Sequence, residues 1–332
     1  MDKKQLIALF AEHPGVFFSG EKISAELGVS RTAVWKHIQS LKEDGYVFES
    51  SSRKGYRLVS QPERLDETLL LAQLQTRELG HPLLVLEETS STQDAAREWA
   101  ERGAPHGALV VADAQTAGRG RMGRSWHSPA GKGIYMSLVL RPDIPMQHTP
   151  QMTLLAAVAL CRTFRREASV DASIKWPNDI LINGRKVSGI LMESSAEDER
   201  LSYIIAGFGI SVNLQKEDYP DHLHDVATSL FIESGQPIQR EDLIASFLQE
   251  YEKWFSVYMA EGFAPILSLW EALSSTLGRV ITAYTPKGPQ KGTALRLHES
   301  GALTIRTENG QEMNVFSGDI REENKTLTEK TM

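Results

Sequence analysis

Apolar residues recur at helical spacing in three short segments at the start of the chain. They are Leu6, Ile7 and Phe10, then Ile23 and Leu27, and then Val34, Ile38 and Leu41. This periodicity predicts three helices, with Ser30 as a favourable N-cap for the third. A strand at 46–48, a turn at 51–55 and a return strand at 56–58 then predict a hairpin. Three helices and a hairpin are typical of a winged helix-turn-helix, which we expect over residues 1–62.

The pattern changes to a mixture of strands and helices in the middle of the chain. Apolar runs and alternation predict strands over residues 109–112, 134–140, 180–182, 187–192 and 203–212. Helical periodicity predicts helices over residues 151–164 and 241–258. We expect these elements to form one domain over residues 65–273.

Four short apolar segments near the C-terminus predict a small β-barrel over residues 274–322. The predicted strands lie at 280–284, 292–297, 302–307 and 312–316. Asn309-Gly310 between the last two is a strong signal for a two-residue hairpin. The charged residues 323–332 predict a disordered tail.

The chain has 332 residues and a net charge of −7, and this charge is unevenly distributed. Residues 1–60 carry nine Lys and Arg against seven Asp and Glu, a net of +2, which leaves −9 for the remainder. The asymmetry favours an anionic partner for the N-terminal module. No apolar run approaches the roughly 20 residues of a membrane span, and no secretory leader is recognisable. We therefore expect a cytoplasmic protein without a membrane partner.

The sequence contains a single cysteine, Cys161, within an apolar helical stretch. One cysteine excludes an intramolecular disulfide. The apolar surroundings predict an inert buried thiol rather than a nucleophile.

The solvent face of the third helix predicts a contact with DNA. Its residues are Arg31, Thr32, Trp35, Lys36 and Gln39, and the hairpin tip adds Arg53 and Lys54. Arg and Gln read base edges in the major groove, and Lys holds phosphate. A three-helix protein-interaction domain is the alternative. Because one module of charge +2 binds DNA weakly, specific binding predicts a dimer on a two-fold site.

The most unusual segment runs from Gly118 to Arg124 and reads Gly-Arg-Gly-Arg-Met-Gly-Arg. It formally matches the dinucleotide fingerprint G-x-G-x-x-G, but a strand from Ile134 follows it instead of the required helix. Glycines let backbone amides approach a ligand closely, and arginine forks suit carboxylate and phosphate oxygens. We expect a loop that becomes ordered on an anion. A solvated basic loop, or one that grips nucleic acid, is the alternative.

A second block, Lys-Trp-Pro-Asn-Asp, spans Lys175 to Asp179 and leads into a predicted strand. Its proline fixes a turn that presents Asn178 and Asp179 at the strand entrance. An Asp beside an Asn suits a hydrated Mg²⁺ or a nucleotide, and a loop-stabilising Asx turn is the alternative. Lys186 then enters an apolar strand, where a lysine must snorkel or meet an anion. Gly189 permits close approach to the backbone.

In this order and spacing, the blocks resemble the biotin–protein ligases. Residues 1–322 as a whole resemble the bifunctional form that is also the biotin operon repressor. The residues that carry the resemblance are Ser91-Thr92, Gln115, Gly118–Gly123, Lys175–Asp179, Arg185-Lys186, Gly189 and Gly207–Asn213. The chain departs from many relatives in two places. It has Ser211 where they have Asn, with Asn213 two positions on, and residues 225–229 lack the Trp on which some relatives stack adenine.

The resemblance implies an α+β multidomain fold. The implied parts are an N-terminal winged helix-turn-helix, a central class II synthetase-like catalytic domain with a mixed sheet, and an SH3-like C-terminal barrel. The implied reaction has two steps. Biotin and MgATP give biotinyl-5′-AMP and pyrophosphate, and the ε-amine of an acceptor lysine then attacks the mixed anhydride. The implied acceptors are the biotin carboxyl carrier domains of acetyl-CoA carboxylase and pyruvate carboxylase.

The resemblance also implies a role for each site residue. The implied biotin-binding residues are Ser91, Thr92, Gln93, Gln115, Gly118, Arg119, Gly120, Arg121, Lys186 and Gly189. The implied nucleotide-binding residues are Arg121, Trp126, Lys175, Asn178, Asp179 and Lys186. Arg121 and Lys186 form the implied catalytic pair. Mg²⁺ is expected to arrive with ATP near Asp179 rather than at a fixed protein site.

In the repressor-type relatives, the adenylate is the corepressor: it orders loops and promotes a homodimer that binds operator DNA of the biotin biosynthesis genes. We expect the same here. Two rival functions are a lipoate–protein ligase, which shares the catalytic fold, and a ligand-sensing repressor without ligation. The Gly-Arg loop and the DNA module argue against the first, and Lys186 with Arg119 and Arg121 argues against the second.

Overall fold

The computed structural model describes residues 3–11, 13, 15–43, 45–51, 53–60, 64–197, 200–285, 288–316 and 318–322. The predicted disordered tail, 323–332, lies outside the described residues. Across the described ranges, every helix is too short or too polar to cross a bilayer.

The N-terminal region contains three helices and a hairpin. Its elements are α1 (Lys3–Ala11), α2 (Gly20–Leu27), α3 (Arg31–Glu43), β1 (Val47–Ser51) and β2 (Gly55–Ser60). The Ser30 hydroxyl accepts a hydrogen bond from the Ala33 N–H at 3.2 Å, which is the N-cap expected for α3. Gly28 ends α2 in the left-handed conformation, with φ +65°. The predicted winged helix-turn-helix layout is confirmed.

A small apolar core holds the winged module together. Val34, Ile38 and Leu41 of α3 are fully buried, as their spacing predicts. The hairpin packs against this core at Phe18, whose backbone pairs with Tyr56. A Cβ on Gly55 would overlap the Phe18 carbonyl, so only glycine allows the hairpin to pack this closely.

The central region is a seven-stranded mixed sheet with helices on both faces. Its elements are α4 (Glu67–Gln73), β3 (Leu83–Thr89), α5 (Thr92–Glu101), β4 (Leu109–Gln115), β5 (Gly133–Leu140), α6 (Thr149–Glu167), β6 (Ala172–Lys175), β7 (Asp179–Ile182), β8 (Arg185–Glu197), β9 (Arg200–Ser211), α7 (Leu230–Ser234), α8 (Arg240–Glu261) and α9 (Ala264–Leu273). The strand order is β3-β4-β5-β9-β8-β7-β6. Only β3 and β4 are parallel, and the other neighbours are antiparallel.

The two faces of this sheet are covered unequally. Helices α6 and α8 pack on one face and form the main core. Helix α5 covers only part of the other face, where Ala96 and Ala100 contact Val110 and Val139. The buried side of α5 consists of Thr92, Gln93, Ala96 and Ala100, without the large aliphatic residues that marked the other helices, and the sequence analysis did not predict this helix. The rest of that face stays open for a cavity.

Cys161 lies on α6 and is fully buried in the main core. Burial raises the pKa of its thiol to about 12, so the thiolate is absent at neutral pH. The prediction of an inert thiol is confirmed.

The C-terminal region is a five-stranded antiparallel sheet. Its strands are β10 (Val280–Thr285), β11 (Gly288–Leu297), β12 (Leu303–Thr307), β13 (Glu312–Val315) and β14 (Asp319–Glu322). The four predicted strands are present, and β14 is an additional strand. The order β13-β12-β11-β10-β14 leaves β13 and β14 as edges, so the pairing of the described residues confirms a β-sheet here but does not close it into the predicted small barrel.

Helix α4 connects the winged module to the central region. Its Leu69 packs into the core of the winged module, and the adjacent Leu70 packs into the core of the central region. Asp66 caps the helix by accepting from the Leu69 N–H, and its own N–H donates to the buried Glu241 carboxylate at 2.9 Å. One short helix therefore belongs to both cores.

A buried ion pair anchors the entry to α4. Arg240 Nη2 lies 2.7 Å from Asp113 Oδ1, and both side chains are less than a tenth exposed. Asp113 also accepts from the N–H groups of Leu65, at 3.2 Å, and Gly131, at 3.0 Å. Arg240 donates in addition to the Gly133 carbonyl at 3.0 Å. Each charge is thus both paired and hydrogen-bonded, as burial requires.

We predict that Asp113→Ala lowers the free energy of unfolding by about 3–5 kcal/mol, because it leaves the Arg240 guanidinium buried without its counter-charge. Urea denaturation followed by circular dichroism measures the change. Asp171→Ala is the matched control, because it removes the exposed partner of Arg165 and should cost less than about 0.5 kcal/mol. Equal effects of the two substitutions would contradict the assignment.

Candidate functional site

A cavity of about 410 Å³ opens on the face of the sheet that α5 leaves uncovered. The predicted site residues that line it are Ser91, Thr92, Gln93, Gln115, Arg119, Gly120, Arg121, Trp126, Lys175, Asn178, Asp179, Lys186 and Gly189. Gly118 does not line it. Instead, a Cβ on Gly118 would lie 2.7 Å from Ser128 Oγ, so the absence of a side chain allows the base of the loop to pack against Ser128. The tertiary structure thus brings motifs from distant parts of the chain to one place.

The floor of the cavity consists of glycines on adjacent strands. Gly189 in β8 pairs with Gly209 in β9. A Cβ on Gly209 would lie 2.5 Å from Trp126 Nε1, and one on Gly207 would overlap Gln93 Oε1. The missing side chains allow Trp126 and Gln93 to lie directly on the sheet.

Gln115 closes one end of the cavity with a fixed orientation. Its Oε1 accepts from the Thr92 N–H at 2.8 Å, and its Nε2 donates to Ser128 Oγ at 3.0 Å. Thr92 is the first residue of α5, and Ser91 caps that helix. These contacts place amide and hydroxyl groups, without any formal charge, at this end of the site.

The Gly-Arg loop folds over the cavity as a short irregular hairpin. Arg119 bridges to Ser125, and the Gly120 N–H donates to the Arg124 carbonyl at 2.7 Å. Met122 adopts φ +57° and is 75% exposed, which is unusual for a large apolar residue. The Arg119 guanidinium points to α5, where it lies 2.5 Å from Asp94 Oδ1. This ion pair therefore joins the loop to helix α5 at the rim of the cavity.

Arg121 points from the loop into the cavity. Its Nη1 donates to Asn178 Oδ1 at 3.0 Å, and Asn178 Nδ2 donates to the Ile190 carbonyl at 2.7 Å. Burial lowers the pKa of the Arg121 guanidinium, and the nearby Asp179 carboxylate raises it in part. Because an arginine pKa lies far above neutrality, the group stays charged at neutral pH.

Lys186 brings a second cation to the same end. Its Nζ lies 2.6 Å from Asp179 Oδ1 and 5.3 Å from the centre of the Trp126 ring. Its backbone N–H donates to the Val226 carbonyl at 2.8 Å, so a peptide segment lies along the edge of the site. Two cations on one side and neutral polar groups on the other suit an elongated ligand with an anionic end.

Trp126 carries a polar group without a partner. Its Nε1 is buried, and none of the described residues accepts a hydrogen bond from it. A buried donor without a partner costs free energy. A ligand atom in the cavity is a suitable acceptor.

Several residues that line the cavity lay outside the motifs, among them Ser137, Tyr219 and Leu223. Asp225, Val226 and Ala227, from the segment that lacks the adenine-stacking Trp, also line it. Ser211 lines the cavity, whereas Asn213 does not: its amide bonds to both backbone groups of Ile238, at 2.9 Å each. Of these two positions, only Ser211 therefore faces the cavity. One feature of the sequence could have pointed to Ser137: it carries the only aliphatic hydroxyl in the otherwise apolar strand β5.

Trp176, in the middle of the Lys-Trp-Pro-Asn-Asp block, is a core residue. It is fully buried, and its backbone N–H donates to Thr276 Oγ1 at 3.0 Å. Its indole donates to the Gly301 carbonyl at 3.3 Å. The block therefore joins the site to the C-terminal region.

The residues predicted to contact DNA are exposed, with one exception. Arg31, Thr32, Trp35, Lys36, Arg53 and Lys54 are exposed, and Gln39 is half-buried. Trp35 exposes 52% of its surface, which is a high value for an indole. Arg31 pairs with Glu21 at 2.6 Å, but such an exposed pair contributes little to stability and can exchange for a phosphate.

Known protein families match both the region that forms the cavity and the winged module. Residues 85–211 match the biotin/lipoate A/B protein ligase family, and residues 3–57 match an HTH domain. The chain is 49% identical to "Bifunctional ligase/repressor BirA" of Bacillus spizizenii, over 96% of this chain and 98% of that protein. It is 35% identical to the biotin–[acetyl-CoA-carboxylase] ligase of Paracoccus denitrificans, over 69% and 96% respectively.

A solved structure shares the fold over about three quarters of this chain. It is the biotin protein ligase of Aquifex aeolicus in complex with biotin and ATP, with a TM-score of 0.65 and 29% identity over 73% of this chain and 99% of that one. The chain belongs to the biotin/lipoate A/B protein ligase family, and within it to the bifunctional ligase/repressors. The resemblance inferred from the motifs is confirmed.

We predict that Gly209→Ala lowers the free energy of unfolding by about 1–3 kcal/mol, because the new methyl group collides with the Trp126 ring. In a Trp126→Ala background the same substitution should cost much less, since the collision partner is gone. A double-mutant cycle by urea denaturation measures this coupling.

Gly120→Ala is the control for this cycle, because its methyl group would have no neighbour closer than 3.5 Å. A cost for Gly209→Ala that persists without the Trp126 side chain would show that the ring does not lie on this glycine.

Proposed function

We propose that the chain is an ATP-dependent biotin–protein ligase that is also a repressor of biotin biosynthesis genes. The observation that carries the proposal is the convergence of Arg121 and Lys186 at one end of a cavity whose other end, at Thr92 and Gln115, is polar but uncharged. This distribution fits biotin, which has a neutral head group and a carboxylate tail. It also leaves the cations at the position where that carboxylate meets a phosphate.

The first step joins the biotin carboxylate to the α-phosphate of ATP and releases pyrophosphate. The carboxylate is itself the nucleophile, so no protein nucleophile is needed. The chief obstacle is the repulsion between two anions, and the remedy is positioning with charge stabilisation. Lys186 leaves Asp179 to bond the carboxylate and the transferring phosphate oxygens, and Arg121 binds the same group from the loop side.

We assign the residues between the cations and the loop edge to the nucleotide. Trp126, Lys175, Asn178 and Asp179 lie on this side of the cavity. Asp179 supplies a carboxylate for Mg²⁺ that arrives with ATP, which is the oxygen ligand that this ion prefers. Within the described residues, no cluster of three ligating side chains forms a fixed metal site. An ion that arrives with ATP would neutralise phosphate charge.

In the second step, the ε-amine of an acceptor lysine attacks the mixed anhydride and releases AMP. We propose biotin carboxyl carrier domains, those of acetyl-CoA carboxylase and pyruvate carboxylase, as the acceptors. The name of the Paracoccus relative supports the first of these. Ser91, Gln93, Gly118, Arg119, Gly120 and Gly189 complete the proposed biotin-binding set.

The second activity is repression by a homodimer in the cytoplasm, where both ATP and operator DNA are found. We propose that biotinyl-5′-AMP is the corepressor. By linkage, a ligand that favours the dimer must bind more tightly to the dimer. The exposed face of α3 reads the operator bases, and the hairpin tip at Arg53 and Lys54 contacts its phosphates.

We also propose domain limits of 1–62, 65–273 and 274–322, and an SH3-like form for the last. Support for that form comes from the long strand β11. Its pairing shifts register between Ala294 and Arg296, and such bulges bend a strand. The part before the bulge pairs with β10 and the part around and after it with β12.

Lys186→Ala should slow adenylate formation by about 100-fold or more, because the charge-assisted contacts to the carboxylate and to the transferring phosphate oxygens, about 1.5–3 kcal/mol each, are lost together. Pyrophosphate release and the mass of a purified carrier domain report the two steps. Lys253→Ala removes an exposed lysine on α8 and should leave both unchanged. Near-normal turnover of Lys186→Ala would refute the role of Lys186.

The double substitution Arg53→Ala/Lys54→Ala should weaken operator binding and reduce its salt dependence, while ligation stays normal. Gel shifts at several salt concentrations, with and without biotinyl-5′-AMP, measure this effect. Lys216→Ala/Lys253→Ala removes the same charge from exposed positions outside the winged module and is the matched control. Equal operator affinity with and without the adenylate would refute the corepressor role.

A further inference from the structure

Ser137 is a fully buried hydroxyl in the middle of β5, where it lines the cavity. Its Oγ lies 2.9 Å from Gln93 Oε1 and 2.9 Å from Thr92 Oγ1. No motif contains it, and the mechanism above does not use it. Its position between two residues at the uncharged end of the cavity suggests a function for that end.

The two protons on Gln93 Nε2 fix the orientation of its side-chain amide. Nε2 donates to the carbonyls of Leu191, at 3.3 Å, and Ile205, at 3.1 Å, which uses both of its protons. Oε1 therefore faces Ser137 and can only accept. If Ser137 donated to Thr92 instead, two oxygens would face each other at 2.9 Å without a proton between them. The Ser137 hydroxyl thus donates to Gln93.

This assignment also determines what Thr92 offers. The Ser137 proton is committed to Gln93, so Thr92 Oγ1 receives no proton from Ser137. Its own proton goes to Gln115 Oε1, at 3.2 Å, or to the Ser137 oxygen. In both cases a lone pair on Thr92 Oγ1 remains for a ligand that donates.

Gln115 offers the opposite polarity. Its Oε1 accepts from the Thr92 N–H, and one Nε2 proton goes to Ser128 Oγ. Among the described residues, the second Nε2 proton has no acceptor. This end of the cavity therefore presents an acceptor at Thr92 next to a donor at Gln115. A cyclic urea, with its carbonyl between two N–H groups, has the complementary pattern, whereas a dithiolane ring has neither group.

We propose that Ser137 is a positioning residue for substrate specificity: it holds Gln93 and Thr92 as hydrogen-bond acceptors and so selects a cyclic-urea head group. This inference rests on the proposed function, because it concerns the biotin end of the same cavity. Ser137 acts through its neighbours and takes no part in the transfer of the adenylyl group. Its loss must therefore affect the binding of biotin and leave the chemical step unchanged.

Ser137→Ala should raise the Kd for biotin roughly tenfold, the loss typical of one buried hydrogen bond and the order it imposes. Isothermal titration calorimetry with biotin alone measures this Kd. The kcat for ligation at saturating biotin and the KM for ATP should stay within about twofold. Desthiobiotin keeps the urea and lacks the sulfur bridge, so its Kd should rise by the same factor. A general loosening of the site would change all of these quantities together.

Ser188→Ala is the matched control. Ser188 is equally buried in the same sheet, but its hydroxyl donates to the Gly209 carbonyl at 2.8 Å and does not line the cavity. This variant should bind biotin as the wild type does. Ser137→Cys is nearly isosteric and keeps a weaker donor, so its Kd should lie between those of wild type and Ser137→Ala. It also carries the test if the alanine variant does not fold.

Two negative results are distinguishable. A wild-type chain that binds no biotin would overturn the proposed function itself. Wild-type binding that Ser137→Ala and Ser137→Cys leave unchanged would overturn only this inference, as would a fall in kcat that equals the loss of affinity.

Discussion

The site depends on one constraint, which is that three positions on neighbouring strands have no side chain. At Gly189, Gly207 and Gly209 any Cβ would press on Trp126, Lys186 or Gln93. The glycines therefore create the depth of the cavity, and the large side chains that lie on them form its walls. The position of the Lys186 ammonium above the Trp126 ring follows from this floor. A packed sheet face would instead have formed an ordinary apolar core.

Three cations of the site have side-chain partners within the protein. Lys186 contacts the Asp179 carboxylate, Arg119 contacts the Asp94 carboxylate, and Arg121 donates to the Asn178 amide. Such contacts reduce the cost of keeping the cations partly buried. A phosphate or carboxylate that binds here takes the place of the side chain that each cation already contacts. Binding of an anion therefore exchanges one contact for another instead of adding a new one. The loop that carries two of these arginines has few apolar contacts, so ligand charge has a large influence on its conformation.

A second set of contacts connects the cavity to the winged module. Asp113 lies two residues before Gln115 on β4, and it also holds Leu65 at the entry to α4. Glu241 holds Asp66, and Leu69 of α4 packs into the core of the winged module. A strand that ends at the cavity and a helix shared with the winged module therefore meet at one buried polar network. Packed and hydrogen-bonded residues therefore connect the cavity and the winged module without a break.

The sequence by itself determined the elements whose signals are local. Val34, Ile38 and Leu41 predicted α3, Asn309-Gly310 predicted a turn, and the Gly-Arg and Lys-Trp-Pro-Asn-Asp blocks pointed to an anion site. These features depend on periodicity, turn chemistry and residue type, which neighbours along the chain supply. Helix α5 was not predicted, because its buried side has alanine, threonine and glutamine in place of the large aliphatic residues by which the other helices were identified.

Only the tertiary structure decided which distant residues share the cavity. The inclusion of Ser137 and Ser211, the exclusion of Asn213 and the role of Trp176 as a core residue all depend on strand order and register. Those are set by packing between segments far apart in the chain, which no local pattern encodes.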